Sequence, residues 1–83
     1  MMIKGMNQKE ISDLALASYL SAIGHQISSI KPGVGRKFIF VFQGSEVLEM
    51  DVLSYFNRKG TVDALTYYET VRNLKAIVLG QVR

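Results

Sequence analysis

The chain has 83 residues, one small domain whose core is slight for its surface, and with no cysteine and a single histidine it cannot hold a disulfide, a thiolate metal site or an imidazole-rich one. Hydrophobic residues make up 48%, a folding composition, and ten Lys plus Arg against seven Asp plus Glu give a net charge of +3, well short of the dense basic tract of an obligate nucleic-acid binder. No apolar run approaches the ~20 residues of a membrane helix, and MMIKGMNQKE lacks the apolar core of a signal peptide, so the expectation is a cytoplasmic protein with no membrane contact.

Residues 1–11 read as a flexible lead-in, 12–80 as one domain and 81–83 as a tail. Ser12 is the expected N-cap of a first helix, Asp13 to Ile23, with Asp13 in the first turn where a negative charge suits the helix dipole. Leu16, Ala17, Leu20 and Ile23 form its apolar stripe, flanked by Leu14 and Tyr19, and Gly24 closes it at the left-handed position. His25 to Lys31 is the expected first strand, although its apolar residues Ile27 and Ile30 sit out of phase. Pro32, Gly33 and Gly35 mark a turn.

Lys37–Phe42, KFIFVF, is the expected second strand of a hairpin. Phe38, Phe40 and Phe42 fall on one face and Ile39 and Val41 on the other, so both faces need cover. The register is open. With Lys31 opposite Lys37, Ile30 joins the Phe face and Ile27 joins Ile39 and Val41; a one-residue slip reverses both. Ser45 is the expected cap of a second helix, Glu46 to Asn57, striped by Leu48, Val52 and Phe56. Asn57-Arg58-Lys59-Gly60 breaks it. Asp63 caps a third helix, Ala64 to Leu79, with Tyr67, Tyr68, Val71, Leu74 and Val78 at helical spacing, and Gly80 is the expected stop.

The order α-β-β-α-α predicts an α+β fold, a two-stranded antiparallel hairpin packed with three helices. A lone hairpin is marginal and exposes two edges. Edge pairing across a two-fold axis would extend it to a four-stranded sheet, so a homodimer or higher oligomer is expected.

The chemistry is sparse. His25 reads more readily as the residue closing the first helix than as a general base or ligand contact, because no serine or carboxylate can be assigned to it. Asp13, Glu46, Glu49 and Asp63 have structural places at helix starts, and Glu46, Glu49 and Asp51 lack the converging spacing of a cation site. Gly33-Val34-Gly35 with Arg36 and Lys37 lacks the helix and the Lys-Ser/Thr ending of a P-loop, which favours an ordinary turn. The sequence therefore predicts neither a cofactor nor an enzyme. Basic pairs remain. Arg36 and Lys37 flank the hairpin tip, Arg58 and Lys59 lie in the second loop, and Arg72 and Lys75 share one face of the last helix. Gathered, they would neutralise phosphates, with Tyr67 or Tyr68 stacking on bases. A solvated basic rim with the tyrosines in the core fits the same residues at least as well.

The runs DLALASYLSAIGH (Asp13–His25), FIFVF (Phe38–Phe42), YFNRK (Tyr55–Lys59) and YYETVRNLKAIV (Tyr67–Val78) resemble a small uncharacterised domain family of bacteria and their phages. The resemblance spans about Asp13 to Val78. It implies that Tyr19, Gly24, His25, Asn57, Arg72 and Lys75 belong to a recurring pattern, and a phage or mobile-element origin, but it carries no activity. The functional expectation is a small non-enzymatic module that binds an anionic partner, nucleic acid first. The alternatives are a protein-interaction module, such as a phage-encoded inhibitor of a host protein, and an oligomeric binder of small nucleotides.

Overall fold

The computed structural model describes residues 8–35 and 37–81. Its elements run β1 (Gln8–Ile11), α1 (Leu14–Ala22), β2 (Ile27–Pro32), β3 (Phe38–Gln43), α2 (Glu46–Phe56) and α3 (Ala64–Gln81). The fold is α+β, with one antiparallel three-stranded sheet in the order β1-β3-β2. The strand that is apolar on both faces takes the centre, where each face meets side chains from two neighbours.

The expected β2–β3 hairpin is present, but the sheet is not two-stranded. Residues 8–11, expected as lead-in, form β1 and pair with β3 as Gln8↔Gln43, Lys9↔Phe42, Glu10↔Val41 and Ile11↔Phe40. Only Ile11 of QKEI is apolar, so this strand exists by borrowing the β3 ladder rather than through its own pattern. The β3 edge that the expectation left for a second copy is thereby filled within the chain.

The register of β2 resolves the phase problem of Ile27 and Ile30. Ile30 pairs with Phe40, Ser29 with Val41 and Ile27 with Phe42, with a register shift between Ile27 and Ser29. Paired residues point to the same side of a sheet. Omitting Ser28 from the ladder puts Ile27 and Ile30 on the same, Phe-bearing face, whereas a regular ladder in either register sends the two to opposite faces.

Helices cover that face. Ile11, Phe40 and Phe42 pack with Leu16, Ala17, Tyr19 and Leu20 of α1, Leu48 of α2 and Leu74 of α3. Instead of one buried stripe, α1 has five consecutive buried residues, Leu16 to Leu20, because it lies against the sheet with α3 and α2 packed on it. Among the described residues no helix covers the opposite face, yet Val41 is only 2% exposed. Its cross-strand neighbours are Glu10 and Ser29, and Glu10 meets Lys31 at 2.7 Å. Strands β1 and β2 lie two strand spacings apart, about 9.5 Å, so this pair lays its aliphatic stems across β3. On the second apolar face a salt bridge within the chain thus joins the two strands that flank Val41.

Helix ends differ in detail from expectation. Asp13, not Ser12, caps α1, accepting from the Ala15 and Leu16 amides at 2.9 and 3.3 Å. Ser45 caps α2 by accepting from the Leu48 amide at 3.0 Å. Asp63 caps α3 by accepting from the Thr66 amide and hydroxyl, which holds its carboxyl below the usual carboxylate range. The third helix does not stop at Gly80 but passes through it to Gln81.

Both α1 and α2 end in the same motif. In α1, Gly24 N–H donates to Ser21 O and His25 N–H to Leu20 O; in α2, Arg58 N–H donates to Tyr55 O and Lys59 N–H to Ser54 O. The left-handed residue is Gly24 in the first and Arg58, at φ 62°, in the second. A side chain there costs roughly 1 kcal/mol.

Candidate anion-binding surface

The charges sort by whether they have a partner. Lys9 reaches Glu49 at 3.3 Å, Lys31 reaches Glu10 at 2.7 Å and His25 meets Asp51 at 2.6 Å. Asp13 and Asp63 are occupied as helix caps. Among the described residues, Lys37, Arg58, Lys59, Arg72 and Lys75 take part in no ion pair. Arg36 lies outside the described residues.

Two of these cations come together from distant points in the chain. Lys37, entering β3, and Lys75, in the C-terminal half of α3, line one cleft of about 260 Å³ with Leu14, Phe38, Phe40 and Val78. Helical spacing continues the surface along α3, because Tyr68, Arg72, Lys75 and Leu79 fall on one stripe. The Arg72 guanidinium lies 5.7 Å from the centroid of the exposed Tyr68 ring. Tyr67, one residue earlier, packs against the core. Of the two predicted stacking residues, only Tyr68 thus presents an open ring. Arg58 and Lys59, in the loop between α2 and α3, do not line this cleft.

The glycine loop is an ordinary turn. Gly33 N–H donates to Lys37 O at 2.9 Å and Lys37 N–H to Val34 O at 3.2 Å, so two amides that a phosphate cradle would use are consumed within the turn.

His25 closes α1 through its backbone, as expected, and its side chain gains a partner that the sequence did not reveal. Nε2 lies 2.6 Å from Asp51 Oδ2, both groups partly buried, which ties the start of β2 to α2. The ring sits beside a polar cleft of about 420 Å³ lined by Gln26, Ser28, Gln43 and Ser45. Ser45 is engaged as the α2 cap, so the pair acts first as a tether between elements. Only the hairpin-to-helix packing brings these two residues together, and no local spacing signals it. Among the described residues no helix is long and apolar enough to cross a membrane, and no group of three or more potential ligands could hold a metal ion.

These features define a small α+β domain, a three-stranded antiparallel sheet backed by three helices, with unpaired cations along the flank of the longest one. Over residues 6–80 the chain matches the model of a domain of unknown function, DUF5659, and it belongs to that family. No curated protein and no solved structure matches it significantly.

Proposed function

We propose that the chain is a binding module for an anionic partner, nucleic acid, engaged by the α3 flank through Lys37, Arg72, Lys75 and Tyr68. One observation carries this reading. Among the described residues five cations make no ion pair, three of them on this flank, whereas five of the seven acids are paired or cap helices and only Glu46 and Glu69 are not. Cations without internal partners keep their charge for an external one. An exposed ring held beneath a guanidinium offers a base a face to stack on. The apolar lining between Lys37 and Lys75 favours an unstacked base, and hence a single strand, over the closed edge of a duplex.

The test is fluorescence anisotropy with labelled single- and double-stranded DNA and RNA of mixed sequence. Three phosphate contacts give a loss of affinity of roughly 20- to 40-fold between about 50 and 200 mM salt. Arg72→Ala with Lys75→Ala lowers the slope against log salt by about 1.5. Binding that ignores salt, or no binding to any of the four, overturns the reading.

A further inference from the structure

Helix α2 has a side that no described residue covers. It meets the rest of the molecule through Leu48, Val52 and Tyr55, which belong to or pack on the core. Away from that side, Val47, Met50, Leu53 and Phe56 follow one another at every third residue, a row that winds half a turn round the helix with Met50 and Leu53 at its middle, opposite the core side, and Val47 and Phe56 at its two flanks. They are 62%, 67%, 61% and 62% exposed. Single exposed apolar residues are ordinary, but four large ones in one ridge on a helix about 16 Å long form a patch that water disfavours.

The ends of this helix carry opposite charge. Glu46 and Glu49 occupy its first turn, and Arg58 and Lys59 follow its last. Glu46, Arg58 and Lys59 have no ion-pair partner among the described residues. Arg58 sits at φ 62° in a helix-ending motif where α1 places glycine. A residue held in a sparsely populated conformation points to a use for its side chain.

We propose that α2 is a self-association surface, packing antiparallel against α2 of a second copy across a two-fold axis. A two-fold between Met50 and Leu53 sets Met50 against Leu53 of the partner subunit at the centre of the contact, with Val47 and Phe56 at its flanks. The two-fold makes this central contact twice. The same operation brings Glu46 towards Arg58 of the partner subunit, twice, so acidic end meets basic end. A parallel pairing would set acid on acid. The second copy is therefore the occupant that matches this side in its central apolar pair and in its charge.

The sheet edges are poorer candidates for the same role. Edge strand β2 carries a bulge and ends on Pro32, and β1 has only four residues. Pairing through α2 leaves Lys37, Arg72 and Lys75 uncovered, and it enlists Arg58 and Lys59, which lie apart from the α3 flank. The proposal does not rest on the anion-binding reading.

Sedimentation equilibrium of the full chain from about 1 to 100 µM tests it, with circular dichroism as the check on folding. The expected result is a species of twice 9.3 kDa by about 100 µM. Leu53→Glu leaves the spectrum unchanged and gives a monomer, since the altered side chain is open to solvent in the single chain. Glu46→Arg weakens association by about tenfold, and adding Arg58→Glu restores it to within about threefold. A wild-type chain monomeric at about 100 µM leaves the ridge to a foreign protein and overturns the proposal. A dimer indifferent to Leu53→Glu places the interface elsewhere and overturns it too. A charge swap that fails to restore association overturns the antiparallel arrangement.

Discussion

Helices α1 and α2 sit side by side and are built on opposite terms. The middle of α1 is buried for five residues in a row, and α1 ends on Gly24. Helix α2 buries fully only Leu48, keeps four large apolar side chains in water and ends on Arg58 in the same left-handed position. Both close with the same pair of backbone hydrogen bonds. In α1 the apolar burial, the Asp13 cap and the Gly24 ending all serve the stability of the single chain. In α2 the exposed ridge and the strained arginine cost the single chain stability.

The sharpest way to break this comparison is to truncate one leucine from each helix. Leu20 is 0% exposed, so Leu20→Ala lowers unfolding free energy by about 3–5 kcal/mol in urea denaturation, enough to threaten a fold this small. Leu53 is 61% exposed, so Leu53→Ala changes it by less than about 0.5 kcal/mol at concentrations where the chain is monomeric. Equal costs would show that the burial contrast is not the energetic one.

Next comes the seam where the loop after α2 meets α1. A Cβ at Gly60 would stand 2.5 Å from Tyr19 Oη and 2.7 Å from its Cζ, and Tyr19 is 6% exposed with little room to retreat. Gly60→Ala therefore destabilises by roughly 2 kcal/mol, visible as a lower Tm. Ala at this position without penalty would mean that the loop rides freely over α1.

The helix ends sharpen the contrast through opposite signs. Gly24→Ala meets no atom within 4 Å, yet it puts a Cβ on a residue at φ 114° and costs about 1 kcal/mol. Arg58→Gly relieves the strain and stabilises the monomer by about 1 kcal/mol, partly offset by the freer unfolded chain. If α2 pairs with a second copy, the same Arg58→Gly chain associates more weakly, so thermal stability and dimer affinity move in opposite directions.

The smallest effect lies on the side of α2 that faces α1. Tyr55 packs on Tyr19 with ring centroids 5.5 Å apart. Burial, then the negative charges of Asp13 and Tyr67, push its phenol above the usual tyrosine value. The unfolded chain therefore releases this proton first. The stabilisation is whole below about pH 10 and fades as the pH climbs through the folded value. Tyr55→Phe flattens that alkaline decline in a Tm-against-pH series; an unchanged slope would mean that the phenol is not shielded.

Local chemistry made much of this molecule readable from its residues. A strand with Phe, Ile and Val on both faces belongs in the middle of something. Gly24, Ser45 and Asp63 mark helix ends because capping needs only a few neighbouring atoms, and the i, i+4 spacing of Tyr68 and Arg72 fixes their company on α3. Other features depend on residues far apart in the chain. Gln8–Ile11 becomes a strand only because β3 offers an edge, Ile27 reaches the core face only through the bulge, and Asp51 finds His25 only once α2 has folded back. Likewise, ten positive charges can be counted in the chain, but which of them meet an acid depends on packing. Hydrophobic period and capping act over a few residues and are written in order; register, ion pairing and exposure are set by distances between elements, which no single segment contains.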